Sequence, residues 1–300
     1  MKKSLIALAV LAASGAAFAQ SSVTLYGVAD VVIHKDKGVS AAMTSGGVSG
    51  SRLGFKGTED LGGGLKANFL LEHGFKIDTG EQASAGSSFN RQAYVGLSGG
   101  FGEVKLGNVY TAYDDISGAT NPVFDSVLAP TNVWASTGYT SNPGNNLYYA
   151  TPEMGGVSGA LSTNVKEGGT AVSAFHVKYE GGPVYAGVAY QKEGDVKFTR
   201  VNGSYDLGAA KLLAGYGNVK DGSAKTNDFS FGADVPLSAN LVLSAGYASS
   251  KADGGVRASG LGVGLAYSMS KRTTVYGGYL DTKDSSAPES RFGLGLKHTF

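Results

Sequence analysis

The 300-residue chain contains no cysteine, which excludes disulfide bonds, thiol chemistry and cysteine-ligated zinc sites. Proline is scarce, with 7 residues, whereas glycine is abundant, with 47. Tyrosine, with 16 residues, is the most frequent aromatic residue. Much glycine and tyrosine with little proline suits a protein of many strands, and disfavours both helices and a disordered tail.

The chain also lacks a large net charge and a long apolar run. Its formal charge of +1 gives no argument for nucleic-acid binding. After residue 19 no apolar stretch approaches the roughly 20 residues that a membrane-spanning helix needs. If this protein enters a membrane, it must do so as a closed β-barrel, which pairs every backbone hydrogen-bonding group internally.

The N-terminus predicts export. Lys2 and Lys3 precede an apolar run from Leu5 to Leu11, and small residues then lead to Ala19. This order of charged, apolar and small residues is typical of a cleaved signal peptide over residues 1–19. The mature chain, residues 20–300, would then form one barrel domain.

Apolar residues alternate with small or polar ones along most of the remaining chain. In the final segment, RFGLGLKHTF, one face carries Phe292, Leu294, Leu296, His298 and Phe300. Because successive side chains of a strand point to opposite faces, this pattern predicts a strand with one apolar face. Sixteen such strands are predicted to begin near Val23, Gly50, Gly64, Phe89, Gly102, Asn146, Val157, Ala171, Val184, Lys197, Ala210, Asp228, Leu241, Ala258, Thr273 and Glu289.

The connections between these strands favour a barrel. Tight turns such as the centre of VPLSANLVLSAGYA alternate with longer polar loops such as KEGDVK and KDGSAKTND. Tyr216, Tyr247 and Tyr279 recur at about the length of one hairpin and would belong to an aromatic girdle. The fold class is therefore an all-β, 16-stranded antiparallel transmembrane barrel, whose closure explains a chain that ends within a strand. A soluble β-sandwich is the alternative.

The free-energy cost of placing a charge in lipid indicates which face of each strand points to the lumen and which points to lipid. A Lys or Arg facing the middle of a bilayer costs roughly 2–4 kcal/mol, whereas one facing water in the lumen costs little. The residues predicted to face the lumen are Arg52, Lys56, Lys66, Glu72 and Arg91. The residues predicted to face lipid are Leu53, Phe55, Phe69 and Tyr94.

The segment from Tyr110 to Asn145 shows no alternation, and its aromatic residues include Trp134, the only tryptophan. It is too aromatic for a disordered tether, so it is predicted to fold against the barrel lumen. No Lys or Arg occurs between Leu106 and Val165, whereas this stretch contains Asp114, Asp115, Asp125 and Glu153. Acids of the loop would then face the wall arginines across an aperture, and an acidic surface loop is the alternative.

Four stretches together resemble one protein family across the whole mature chain. They are QSSVTLYGVAD, SRLGFKGTEDLGGGLKANFLLEHGF, FNRQAYVGLSGGFGEVKLG and the terminal Phe300. They resemble the general-diffusion porins of Gram-negative bacteria, in particular the trimeric porins of the neisserial and bordetellal type. The resemblance implies a 16-stranded barrel in the outer membrane and a third loop folded inward to form an eyelet. It further implies a homotrimer surrounded by outer-membrane lipids, which passes ions and small hydrophilic solutes by diffusion.

The resemblance also implies roles for single residues. Arg52 and Arg91 match wall arginines of the eyelet, Glu72 matches an acid of the following strand, and Asp114 and Asp115 lie where the inward loop carries acids. Phe300 would be the signal read by the outer-membrane barrel assembly machinery. Two positions depart from the family pattern, because Asn108 and Tyr148 stand where family members often have Arg. With fewer arginines on the basic side of the eyelet, we predict a pore with weak charge selectivity. Its anion preference should be weaker than in relatives that carry the full set of arginines. No cofactor, metal or catalytic group is implied.

Two other functions stay open. An outer-membrane hydrolase would need a nucleophile and a base in reach, but the chain has no G-x-S-x-G or H-E-x-x-H motif. Its four histidines, His34, His73, His176 and His298, are far apart in sequence. A substrate-specific channel or an adhesin could use the same barrel. Asp114 and Asp115 could also hold Ca²⁺, although two adjacent acids make a poor cage without further oxygen ligands.

Overall fold

The computed structural model describes residues 22–300, and the predicted signal peptide lies outside these residues. The strands are β1 (Ser22–Asp36), β2 (Ala42–Ser45), β3 (Arg52–Gly62), β4 (Leu65–Gly74), β5 (Gln92–Gly99), β6 (Gly102–Asn108), β7 (Asn146–Ala150), β8 (Val157–Asn164), β9 (Val172–Gly181), β10 (Val184–Glu193), β11 (Val196–Asp206), β12 (Lys211–Asp221), β13 (Ala224–Ser238), β14 (Leu241–Ala252), β15 (Arg257–Ser268), β16 (Thr273–Lys283) and β17 (Ser290–Thr299). One loop carries helix α1 (Asp114–Ser117) and the 3-10 turns Val123–Asp125, Pro130–Val133 and Ala135–Thr137. Among residues 22–300, no helix has the length and apolar character needed to cross a membrane.

The strands form one closed antiparallel barrel. The sheet closes where β1 pairs with β17, from Val28 opposite Thr299 to Asp36 opposite Arg291. Both β2 and β3 pair with the other edge of β1, so these two segments share one position in the wall. The barrel therefore has sixteen wall positions, as predicted. Every predicted start lies within four residues of an observed one, the largest difference being at β13.

An interruption of the wall, residues 46–51, separates β2 from β3, and a buried carboxylate fixes it. Asp30 on β1 accepts hydrogen bonds from the backbone N–H groups of Val48 and Ser49, at 2.9 and 2.7 Å. Tyr276 on β16 donates its hydroxyl to the same carboxylate. Asp30 therefore joins the interruption to the barrel seam.

The exposed fractions of the side chains separate the two faces of the wall. On β1, Val23 and Leu25 are 65% and 56% exposed on the outer face, whereas Asp30 is fully buried on the lumen face. The prediction that Tyr94 faces lipid is wrong. Its ring lies 5.3 Å from the ammonium of Lys105 inside the barrel, because regular β5 begins only after Arg91 and Arg91 enters the lumen from the end of a loop.

Two segments that were predicted as longer loops are hairpin ends. In KEGDVK and KDGSAKTND the strands continue to tight turns at Gly194 and Gly222, both with φ of +57°. Polar residues need not end a strand whose side chains face water, so composition alone placed the ends of these strands too early in the sequence.

The C-terminal residue closes the wall against the first strand. The N–H of Phe300 donates to the carbonyl of Gly27 at 3.1 Å, and the N–H of Gly27 donates to the carbonyl of Phe300 at 3.0 Å. The Phe300 ring lies over Gly27, where a Cβ would come within 2.3 Å of it. The chain thus ends as part of the barrel seam.

The loop of residues 110–145, here called the inward loop, folds into the lumen as predicted and lies against β10–β16. Its Trp134 is only 3% exposed. Glycines on the lumen face let its backbone approach the wall closely. A Cβ at Gly246 would lie 2.4 Å from Pro122, and one at Gly217 would lie 2.1 Å from the Ser136 hydroxyl. Open space remains before the opposite wall, bordered by Lys56, Lys66, Tyr94 and Glu103.

Candidate functional site: a constriction beside the inward loop

The structure brings together the three predicted wall residues of the constriction. Glu72 on β4 accepts a hydrogen bond from Arg91 Nε at 2.7 Å and lies 4.0 Å from Arg52 Nη1. Tyr26 on β1 donates its hydroxyl to the second oxygen of the same carboxylate at 2.8 Å. The Glu72 side chain is only 4% exposed. One carboxylate therefore partly neutralises two arginines on this side of the lumen.

The two arginines have further partners that fix their positions. Arg52 donates from Nε to the carbonyl of Gly50 at 3.0 Å. The guanidinium of Arg91 lies 5.7 Å from the centre of the Tyr110 ring, where the inward loop begins. A cation over an aromatic face is attracted by the ring quadrupole. Arg91 therefore lies between the wall and the start of the inward loop.

The predicted acids of the inward loop lie on α1, and each is held by a tyrosine hydroxyl. Tyr139 of the same loop donates to Asp114 at 2.7 Å, and Tyr148 on β7 donates to Asp115 at 2.7 Å. His176 Nδ1 lies 3.5 Å from Asp115 but only 2.6 Å from the carbonyl of Ala112, which makes the carbonyl its nearer partner. Because the two carboxylates bind different tyrosines, they do not form a shared cage.

Burial raises the pKa of both acids to about 6. The Tyr139 hydroxyl lowers the pKa of Asp114, while the charge of Asp115 raises it. Asp115 is still about one third exposed, at 32%, but the water that it meets is confined within the barrel. The charge of Arg91 also lowers the pKa of Asp114, although these two side chains form no ion pair within 4.0 Å among the described residues.

Sequence reasoning missed a lysine beside this constriction. Lys105 on β6 lies opposite Tyr148 in the sheet, and its ammonium is 4.9 Å from the Tyr148 ring and 5.3 Å from the Tyr94 ring. It also pairs with Glu103 at 2.9 Å. Lys105 thus places a cation beside Tyr148, the position at which the family resemblance implied an arginine. The lumen-facing parity of β6 was the signal that could have identified Lys105.

The other predicted positions lie apart from a common site. Asn108 donates to the carbonyl of Phe89 at 3.3 Å and makes no contact with the acids of α1. Asp125 accepts a hydrogen bond from Asn121 within the inward loop. Among residues 22–300, no three His, Asp or Glu side chains gather in a group that could hold a metal ion.

Comparison with known proteins agrees with this architecture. A family model described as Gram-negative porin matches residues 5–287. This chain belongs to the Gram-negative porin family. It is 37% identical to outer membrane porin protein 32 of Delftia acidovorans, over the full length of both chains. It is 30% identical to the major outer membrane protein P.IB of Neisseria meningitidis serogroup B, also over the full length of both.

The solved structures give the same result. An anion-selective porin from Comamonas acidovorans superposes with a TM-score of 0.81 at 30% sequence identity, covering 94% of this chain and all of that one. The family and the closed barrel together define this protein as an outer-membrane porin, a water-filled channel for passive diffusion.

Proposed function

We propose that this porin passes ions and small hydrophilic solutes with weak charge selectivity, set by Arg52, Arg91, Glu72, Asp114 and Asp115. The observation that carries the proposal is the Glu72 carboxylate between the two arginines, at 2.7 and 4.0 Å. The relative from Comamonas acidovorans is named anion-selective, and the two arginines favour the same sign here. Glu72 and the loop acids reduce that preference, so it is weaker than in relatives with arginine at the positions of Asn108 and Tyr148.

Recordings from single channels in a planar bilayer test this function. Symmetric salt gives the conductance, and a salt gradient gives the reversal potential. We expect large, long-lived steps with a small reversal potential. A strongly anion-selective reversal potential would contradict the weak selectivity. If folded barrels gave no conductance steps, the inward loop would close the lumen.

We further propose a homotrimer in the outer membrane, in line with the family resemblance. Channels of one trimer should close in three equal steps, and chemical crosslinking should give a trimer as the largest product. The same resemblance supports removal of residues 1–19 on export and recognition of Phe300 by the barrel assembly machinery. N-terminal sequencing of the protein from outer membranes should begin at Gln20.

We also propose that the protein acts as a channel without hydrolytic activity. The histidine nearest the constriction, His176, has its Nδ1 at 2.6 Å from a backbone carbonyl, an arrangement that suits a fixed structural side chain better than a general base. Hydrolysis of a chromogenic ester by the purified barrel, lost in His176→Ala, would contradict this.

A further inference from the structure

Two opposite charges lie buried between the inward loop and the wall. Arg200 on β11 and Asp228 on β13 are both fully buried, and no ion pair within 4.0 Å involves either of them among the described residues. They occupy one row of the barrel, since Arg200 lies opposite Gly217 on β12 and Gly217 lies opposite Asp228. Two strand spacings place their Cα atoms roughly 10 Å apart.

The backbone of Ser136, in the inward loop, fills the space between these charges. Its N–H donates to Asp228 Oδ2 at 2.7 Å, and its carbonyl accepts a long hydrogen bond from Arg200 Nη2 at 3.5 Å. Gly217 makes this approach possible, because a Cβ there would lie 2.1 Å from the Ser136 hydroxyl. The loop thus presents a donor to the carboxylate and an acceptor to the guanidinium.

This bridge leaves both charges incompletely satisfied. Arg200 Nε and Nη1 and Asp228 Oδ1 have no hydrogen-bond partner among the described residues. The guanidinium lies 4.5 Å from the centre of the Trp134 ring, and its Nε and Nη1 atoms are shielded from solvent. Buried charges that lack full pairing are costly. If Ser136 left, the two side chains could meet directly above Gly217, which has no side chain to separate them.

We propose that Arg200 and Asp228 form a two-state latch for the inward loop. With Ser136 between them they hold the loop against the wall, and the channel is open. When they pair directly, they stabilise a released loop, which enters the open space before the opposite wall and reduces the conductance. The latch goes beyond the proposed selectivity, because it sets the position of the loop and not the charge of the constriction.

The fluorescence of Trp134 tests the latch without an added label, since it is the only tryptophan. Acrylamide quenching reports its exposure, and bilayer recordings report the time spent at reduced conductance. The variants are Arg200→Gln, Asp228→Asn and their combination. Asp253→Asn, in an exposed loop, is the control for loss of one negative charge.

The latch predicts a non-additive result. Each single variant abolishes the direct pair, but in the docked loop it also leaves the other charge buried without its counterpart, whereas release exposes that charge to lumen water. Because the cost of an uncompensated buried charge exceeds the net contribution of a pair, quenching and time at reduced conductance should both rise at least about twofold. The combined variant loses both the buried charges and the pair that stabilises the released loop, so it should lie close to the unmodified porin. Additive effects, or single variants that match the control, would overturn the proposal.

A substitution in the inward loop keeps the proposal testable even if the variants of the two buried charges do not fold. Ser136→Pro keeps both charges and removes the N–H that binds Asp228. The barrel wall is unchanged, so folding should be retained, which the mobility of the unheated protein in SDS gels checks. Quenching should increase at least as much as in Asp228→Asn. A folded Ser136→Pro channel with unchanged quenching and conductance would also overturn the latch.

Discussion

Glu72 accepts a hydrogen bond from Arg91 at 2.7 Å and lies 4.0 Å from Arg52, so one buried carboxylate balances two arginines. We therefore expect the selectivity of the proposed constriction to depend on this acid as much as on the arginines.

Replacing Glu72 with Gln should increase the anion preference. The change keeps the shape and a hydrogen-bond acceptor but leaves both arginine charges without compensation. In water, a permeating ion about 8 Å from the Glu72 carboxylate interacts with it by roughly 0.5 kcal/mol, which is favourable for a cation and unfavourable for an anion. Removal of this charge therefore shifts the balance between the two ions by roughly 1 kcal/mol, and the anion-to-cation permeability ratio should rise by about fivefold at low salt. The reversal potential in a salt gradient measures the ratio. Glu81→Gln, in an exposed loop, is the matched control, and an equal shift in both variants would contradict the role of Glu72.

Lowering the pH should also increase the anion preference, because it neutralises the two acids of the inward loop. Burial raises the pKa of Asp114 and Asp115 to about 6, so both acids are charged above that pH and neutral well below it. Their neutralisation removes negative charge, so anion preference should increase as the pH falls from 8 to 5. The double variant Asp114→Asn and Asp115→Asn should show the acidic value throughout. A pH dependence that survives in the double variant would assign the effect to other groups.

The same pKa values predict how the stability of the docked loop depends on pH. The ordinary value is 3.8, so in the docked loop both acids retain protons that they would lose in water. Because the docked loop binds these protons more tightly than the released loop, protonation stabilises the docked state fully below pH 3.8. This stabilisation is lost as the pH rises through about 6. Acrylamide quenching of Trp134 should therefore be weaker at pH 4 than at pH 8. The double asparagine variant should show no such change.

The fold was predictable because each strand carries its own signal. A charge facing lipid is costly, so lumen and lipid residues must alternate at every strand, and the alternation marks all sixteen wall positions. Tyr94 was misplaced because this argument assumes a regular strand through Arg91, whereas β5 begins one residue later. Irregular strand ends depend on the neighbouring loop and cannot be read from alternation.

The constriction was only partly predictable. Arg52, Arg91 and Glu72 lie within two short motifs that resemble the family, and the structure brings them together. Arg200 and Asp228 resemble ordinary charged residues of a wet lumen. Their burial follows from Ser136, which is 64 and 92 residues away in the chain. Such docking depends on the path of the whole loop, which no local pattern specifies.

Removal of the Tyr276 hydroxyl should weaken the barrel seam. Tyr276→Phe deletes the donor to the buried Asp30 carboxylate, which keeps its two backbone N–H donors from residues 48 and 49. Loss of one hydrogen bond to a charged group should reduce the free energy of unfolding by about 1–3 kcal/mol. Urea unfolding in detergent measures this. Tyr279→Phe, on the outer face of the same strand, is the control and should unfold like the unmodified porin.

Adding a side chain at a wall glycine that touches the inward loop should narrow the channel. A Cβ at Gly246 would lie 2.4 Å from Pro122, so Gly246→Val forces either the loop or β14 to move. Because β14 is held by hydrogen-bonded ladders to β13 and β15, the loop should move, towards the open side of the lumen.

We expect a lower single-channel conductance for Gly246→Val, together with a loss of about 1–3 kcal/mol from overpacking. Ala245→Val changes the adjacent residue on the outer face and should leave the conductance unchanged. If Gly246→Val lost stability but kept full conductance, the wall would have yielded instead of the loop. The inward loop would then be the stiffer of the two, and its position could not be the variable that sets the size of the passage.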